Sequence, residues 1–379
     1  MELMFTGEFP PCPGGIGRYV HARCLRPPRD GLRVLAAEWP GDETWDAESG
    51  LNIERFGYQR GGDLRPSWRR LRQMWWAESA LRRELRGTSY RLIAASVLFP
   101  FGWAAVRHKR RHGHRVALFC HGAELLRAKM TRAGKWLYEH TMPSVDLYIA
   151  NSRMTADILV SQGWDRRRIS VIPCPIDHQR FHPDADRNRF RTQWIGEDGT
   201  GPVLLTICRL DDLGKGIDTV LGIMPRLQER FPGIRYVVVG DGPLRDRYAA
   251  MARELGVERQ VILAGHVSDA DLPACYAACD LFLLMSRRVA DVGYCEGFGI
   301  VYREAMACQR PVIVSTEAGM KDFVTHGENA MLADPRDADG ILHACVDVLS
   351  DPATASEMGR RARSFAVQEP DWSPLDQLA

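Results

Sequence analysis

Short apolar runs recur along this chain, each about the length of one buried strand, and longer stretches of helical periodicity separate them. They fall at residues 3–6, 33–39, 91–97, 115–120, 147–150 and 169–173, then at 202–207, 236–239, 261–264, 280–285 and 311–315, and the mixed stretch 52–56 also reads as a strand. Strands buried on both faces read as near-continuous apolar runs, and strands with one wet face alternate apolar and polar positions. Runs of the first kind alternating with helices predict parallel sheets covered by helices, an α/β chain. With 379 residues the chain is expected to form two domains. The first spans residues 1–175 and the second 176–365, with a tail at 366–379. Pro173-Cys174-Pro175-Ile176-Asp177 reads as the crossing between them. The polar stretch 41–50 reads as a loop.

Composition excludes several classes. Hydrophobic residues at 45% and aromatics at 9% suffice for packed cores. No apolar run approaches the ~20 residues that span a bilayer. The first five residues are too short for a signal peptide and lack its basic flank. The ten cysteines form no Cys-x-x-Cys and no Cys/His cluster at zinc spacing. Cys275 and Cys279 share a helix face and read as core. A reduced, cytoplasmic chain is expected. The net charge of +2 hides an asymmetry: residues 1–185 carry 29 Lys/Arg against 19 Asp/Glu, and the rest carry 21 against 29. A basic first half favours an anionic acceptor or surface. No nucleic-acid module is present, so no nucleic-acid partner is expected.

One helix, over residues 65–86, holds Trp68, Leu71, Trp75, Trp76 and Leu81 among arginines. Its spacing puts Trp68, Leu71, Trp75 and Leu81 on one face. That face either packs on its own domain or lies peripherally on the inner face of a membrane. The cluster Arg107-His108-Lys109-Arg110-Arg111 reads as a helix C-terminus facing water.

The residues that carry chemistry follow the ends of predicted strands. Glu296-Gly297-Phe298-Gly299 is a strand-to-helix turn, with a helix starting at Ile300. Glycines let backbone approach a ligand, and the open amides of Ile300 and Val301 suit a phosphate. Glu296 and Glu304 flank that anion site, and carboxylates there suit vicinal hydroxyls. Arg209 and Lys215, on the loop after the run 202–207, can clamp a diphosphate. The loop 10–18 brings Gly15 and Gly17 after the first strand, ahead of a helix from Tyr19. His121 ends the run 115–120. Gly240 opens the turn Gly240-Asp241-Gly242-Pro243, and Val267 follows Gly265-His266. Asp-x-Asp matches at Asp184, Asp269 and Asp337 read as caps and turns, so no metal site and no cofactor is expected.

These motifs resemble the retaining glycosyltransferases of family 4, which have the GT-B fold: two Rossmann-like domains facing across a cleft. The resemblance covers nearly the whole chain and is densest from Pro202 to Pro335. It implies transfer of a sugar from a nucleoside-diphosphate sugar, with UDP or GDP as the nucleotide, to a hydroxyl acceptor. Glu296 would face the donor sugar, Glu304 the ribose, and His121, in His-Gly-x-Glu-Leu, the transferred sugar. The first loop, with Gly15 and Gly17, would lie near the diphosphate and acceptor, and Val267 near the base. The first domain would take the acceptor and the second the donor. The leaving phosphate itself would take the acceptor proton, so no side-chain base is named. Four positions depart from the family pattern: Pro175 and Gln309 stand where glycine is usual, Cys208 replaces the glycine before Arg209, and Glu317 to Asp322 replaces Gly-Gly-x-Pro-Glu. The alternatives are a GT-B epimerase, which would consume donor without acceptor, and an inactive transferase-like scaffold, which would be expected to lose these residues. A dehydrogenase would need a third glycine, where this chain has Val20.

Overall fold

The computed structural model describes residues 1–26, 31–57, 66–196 and 199–378, without the side chains of 66–70. The chain divides into two compact units, Met1–Cys174 with Pro370–Ala379, and Pro175–Glu369. The division falls at Pro175, and the terminal segment from Pro370 belongs to the first unit, so residues 366–369 stay with the second.

In unit 1 the strands are β1 (Glu2–Thr6), β2 (Leu32–Ala37), β3 (Ile53–Phe56), β4 (Leu92–Ala95), β5 (Arg115–Cys120), β6 (Leu147–Ala150) and β7 (Ile169–Val171). The helices are α1 (Gly15–Cys24), α2 (Asp42–Ser49), α3 (Pro66–Gly87), α4 (Trp103–His112), α5 (Ala123–Ala128), α6 (Arg132–Thr141) and α7 (Arg153–Ser161). In unit 2 the strands are β8 (Val203–Ile207), β9 (Arg235–Val239), β10 (Val261–Gly265), β11 (Leu281–Leu284), β12 (Val312–Ser315) and β13 (Met331–Ala333). Its helices are α8 (Asn188–Ile195), α9 (Ile217–Arg230), α10 (Arg245–Glu254), α11 (Leu272–Ala278), α12 (Ile300–Ala307), α13 (Ala338–Ser350) and α14 (Pro352–Ala366); α15 (Ser373–Asp376) belongs to unit 1.

Among the described residues unit 1 has a seven-stranded sheet in the order β3-β2-β1-β4-β5-β6-β7, and unit 2 a six-stranded sheet in the order β10-β9-β8-β11-β12-β13. Every neighbouring pair of strands runs parallel. Central strands such as β1, β8 and β11 are buried along their whole length, which is why they read as unbroken apolar runs. Each sheet reverses its winding once, between β1 and β4 and between β8 and β11. The carboxyl ends of those pairs are where open α/β sheets take their ligands.

Several expectations need correction. The stretch 41–50 is not a loop: Asp42–Ser49 is helical between two left-handed glycines, Gly41 and Gly50. It buries none of its residues, so its surface is polar and carries no apolar period. Helix α1 starts at Gly15, four residues before Tyr19. Leu81 does not share a face with Leu71 and Trp75 on α3. Leu71 is 58% exposed and Trp75 64% exposed, whereas Leu81 packs inward with Ala77, Ala80 and Leu85. The Trp68 side chain lies outside the described residues. Trp76 carries the Arg72 guanidinium 4.6 Å above its ring.

The terminal segment is held by specific contacts in unit 1. Trp372 is buried beside Tyr19 and Phe119, at ring separations of 5.9 and 6.3 Å. Arg23 binds Glu2 at 2.8 Å and Asp376 at 3.2 Å. At the end of α12, Gln309 adopts a left-handed φ of 59°. The amides of Gln309 and Arg310 turn back to the carbonyls of Met306 and Ala305 at 2.9 and 3.0 Å, the usual glycine termination of a helix. The chain keeps that geometry with glutamine.

Candidate active site

The Glu296–Gly299 turn in unit 2 forms where the sheet reverses. The loop leaving β8 carries Arg209 and Lys215, and the loop leaving β11 carries Glu296 into the start of α12. Lys215 Nζ donates to Glu296 Oε2 at 2.8 Å, and both side chains are largely buried. Burial alone would lower the Lys215 pKa. The Glu296 charge and hydrogen bond outweigh it, and the ammonium is held above its ordinary value. The neighbouring Cys208 thiol is pushed up to about 12, by burial first, and stays protonated.

Helix α12 opens at Gly299, whose φ is 85°. A Cβ there would come 2.6 Å from the Tyr302 ring, so both the conformation and the space call for glycine. Among the described residues no side chain caps this helix start, which leaves the first amides, of Ile300 and Val301, open. Gly297 and Phe298 are buried in the turn, and Phe298 meets Phe323 edge-on at 5.7 Å. Gly319, in the segment that departs from the family pattern, donates its amide to the Glu296 carbonyl at 2.9 Å. That departure therefore still supports the glutamate's backbone. Gly240 has φ 131°, and a Cβ would lie 1.9 Å from the Cys208 carbonyl oxygen. Its glycine thus has a packing reason, since it lets the turn after β9 lie against the loop of Arg209. Val267 lies just beyond β10, partly exposed.

Not every expected residue joins this cluster. The Arg209 side chain is 83% exposed and pairs with Asp211 at 3.2 Å. Glu304, expected at the ribose, is completely buried in α12, where the Tyr276 hydroxyl donates to its Oε2 at 2.7 Å. The spacing put it one turn inside the helix correctly, but that turn faces α11, so its carboxylate lies in the interior of unit 2.

In unit 1 the His121 ring follows β5. Its Nε2 lies 2.7 Å from the Ser96 carbonyl just past β4. A carbonyl only accepts, so Nε2 is the donor in this bond. The His121 amide donates to Glu124 Oε1 at 2.6 Å, which fixes the His-Gly-x-Glu turn. Gly15 and Gly17 form the first turn of α1, with Gly17 buried against the Glu8 backbone. Among the described residues no cluster of His, Cys, Asp and Glu could hold a metal ion. Asp337 caps α13 through the Gly340 amide, and Asp269 begins a short 3₁₀ turn. No described helix is long and apolar enough to cross a membrane.

Two family profiles match. One, described as glycosyl transferases group 1, covers residues 188–365, and the other, glycosyltransferase family 4, covers residues 13–180. The chain is a family-4 glycosyltransferase. Among its relatives, a GDP-mannose-dependent α-(1-6)-phosphatidylinositol monomannoside mannosyltransferase of Mycolicibacterium smegmatis is 29% identical over 98% of this chain and 94% of its own. A mannosylfructose-phosphate synthase of Agrobacterium fabrum is 33% identical over 52% of this chain and 44% of its own. The structure of Anabaena HepE in complex with UDP and glucose superposes with a TM-score of 0.78 at 20% identity, covering 100% of this chain and 97% of that one. The fold is GT-B. This glycosyltransferase moves a sugar from a nucleoside-diphosphate sugar to a hydroxyl acceptor.

Sequence reasoning missed two side chains: Tyr276, which holds Glu304, and Tyr294, whose hydroxyl donates to Glu296 Oε2 at 3.1 Å. Tyr294 stands two residues before Glu296, in a loop without periodicity. Only its place beside the motif could have marked it.

Proposed function

We propose that this glycosyltransferase retains the anomeric configuration of its donor, takes GDP-mannose, and binds it through Lys215, Glu296 and the start of α12. The observation that carries the reading is the 2.8 Å Lys215–Glu296 pair beside an uncapped helix start. A diphosphate is met by cations and backbone amides, and sugar hydroxyls by a carboxylate. Lys215 with Ile300 and Val301 provides the first, and Glu296 the second. Arg209, exposed on the same loop, adds a cation by turning from Asp211. These groups meet charge that grows on the leaving phosphate as the anomeric bond breaks, where each such group is worth on the order of 10²–10³ in rate. In the retaining route the acceptor oxygen bonds to the anomeric carbon on the face the phosphate leaves. Its proton passes to the departing phosphate oxygen, so no side chain acts as base. The fixed cations make a divalent ion unnecessary.

Unit 1 is assigned the acceptor, with His121 as its catalytic residue. A ribose contact by Glu304 is retained only if Tyr276 releases its carboxylate. The mannosyl donor is supported by relatives of that specificity along nearly the whole chain; HepE, bound to UDP-glucose in another crystal structure, represents the competing base and sugar. A lipid-anchored acceptor would fit the basic first half and the exposed Leu71 and Trp75.

The test is a panel of GDP-mannose, UDP-glucose and ADP-glucose, with and without a chelator, and proton NMR of the product anomer. GDP-mannose should be consumed fastest, the chelator should change the rate by no more than a few-fold, and the product should be the α anomer. A β product, or a full loss restored by magnesium, would contradict the mechanism. Preference for another nucleotide sugar would contradict the donor.

A further inference from the structure

The loop between β11 and the donor glutamate does more than connect them. Its root is fixed to the opposite loop: the Arg287 amide donates to the Gly214 carbonyl at 2.8 Å, and the Arg287 guanidinium binds Asp218 at 3.0 and 2.6 Å. Its far end is pinned by paired backbone bonds between Val289 and Tyr294, at 3.0 and 3.1 Å. This delivers the Tyr294 ring, almost fully buried, against Gly214. A Cβ on Gly214 would come 2.2 Å from Tyr294 Cδ1, so the ring fills the space that any side chain at 214 would need. From there the Tyr294 hydroxyl donates to Glu296 Oε2 at 3.1 Å, and Lys215 Nζ lies 5.3 Å from the centre of the ring.

We propose that Tyr294 is a positioning residue for sugar transfer, which holds the Glu296 carboxylate by its hydroxyl and the Lys215 ammonium by its ring. The inference rests on the reading of Lys215 and Glu296 as the donor site. Both hydrogen bonds to Glu296 fall on Oε2, and among the described residues none reaches Oε1. Tyr294 and Lys215 therefore fix one oxygen and present the other. Lys215 is the partner that an arriving diphosphate competes for. When it turns to the phosphate, Tyr294 is the remaining donor on Oε2, and it keeps the carboxylate in place while the anomeric bond breaks. Burial, and then the Glu296 charge, push the phenol well up, so it stays protonated and donates across the working pH range. The face of the ring gives Lys215 a second attractive surface. Neither role puts Tyr294 on the substrate.

The test compares Tyr294→Phe, Tyr294→Leu, Glu296→Gln and the double variant Tyr294→Phe/Glu296→Gln. Turnover is measured with the nucleotide sugar selected by the panel above, starting from GDP-mannose, and affinity by calorimetry with GDP alone. A hydrogen bond to a charged group sets the scale, and Tyr294→Phe should lower kcat about tenfold to a hundredfold. Its KM, its GDP affinity and its melting temperature should stay near wild type, since the ring and its packing remain. Tyr294→Leu should also weaken GDP binding, because Lys215 loses the ring. The double variant should be no slower than Glu296→Gln, because the hydroxyl acts only through that carboxylate. A wild-type kcat in Tyr294→Phe would overturn the inference while leaving the donor site standing, provided Glu296→Gln is slow. Losses that multiply in the double variant would overturn it too, by giving Tyr294 a role apart from Glu296. A Glu296→Gln enzyme of wild-type rate would remove the donor-site reading itself, and the inference with it.

Discussion

Replacing Lys215 by methionine separates stability from catalysis in one residue. Methionine keeps most of the stem and removes the charge, so Glu296 is left as a largely buried carboxylate with, among the described residues, the Tyr294 hydroxyl on it. Lys215 and Glu296 side chains are 14% and 19% exposed, and they meet at 2.8 Å. Breaking a fully buried pair costs roughly 3–5 kcal/mol, and the residual exposure brings this to about 2–3 kcal/mol. For a unit of 150–250 residues, each kcal/mol moves the melting temperature by about 2–4 °C. The unit 2 transition should therefore fall by roughly 4–12 °C. Turnover should fall on the order of 10²–10³, since Lys215 faces charge that grows in the transition state. Scanning calorimetry and donor turnover read the two effects. The double variant Lys215→Met/Glu296→Gln should recover most of the melting temperature, because no buried charge remains, and none of the activity. Wild-type melting of Lys215→Met, or a double variant no more stable than the single, would refute the account of the pair.

Trp372→Ala should destabilise unit 1 by about 3–5 kcal/mol, since it empties a buried indole site beside Tyr19 and Phe119; melting of unit 1 checks it. His114 is buried with Nε2 donating to the Ala105 carbonyl at 2.9 Å, and burial first, opposed by that bond, lowers its pKa below the usual 6.5. The unfolded state then takes the proton first as pH falls. Unit 1 should keep this stability above the ordinary histidine value and lose it below, and His114→Gln should flatten the melting curve between pH 7.5 and 5.0. On the surface, Leu71 and Trp75 of α3 should promote sedimentation with anionic vesicles at low salt, weakened by high salt and by Trp75→Ser. Equal binding of the variant would remove α3 from any membrane contact.

The strand positions were legible because buried parallel strands leave a continuous apolar run, as in Arg115–Cys120 and Leu147–Ala150, whose bounds the sequence matches. The donor turn was legible for a local reason: Gly299 needs its left-handed backbone, and a helix start needs open amides. Other features depend on which way a side chain turns after folding. Glu304 has the right spacing, yet its helix face meets Tyr276 of α11, a residue 28 positions earlier in the chain. Arg209 and Lys215 share one loop but not one environment, because only Lys215 finds a carboxylate across the sheet. Helix α3 was only partly legible: of its two readings the packed one needed Leu71 and Trp75 inside, while its inward face is made of Ala77, Ala80, Leu81 and Leu85. Helix α2 was illegible because it buries nothing and its polar surface carries no period.

The central claim is that unit 2 holds the donor diphosphate with Lys215 and the start of α12. Calorimetric titration with GDP and UDP, on wild type, Lys215→Met and His121→Ala, tests it without any acceptor. The account predicts binding to wild type with GDP the tighter, a loss of at least tenfold in Lys215→Met, and little change in His121→Ala. Undiminished affinity in Lys215→Met, or a loss confined to His121→Ala, would contradict it.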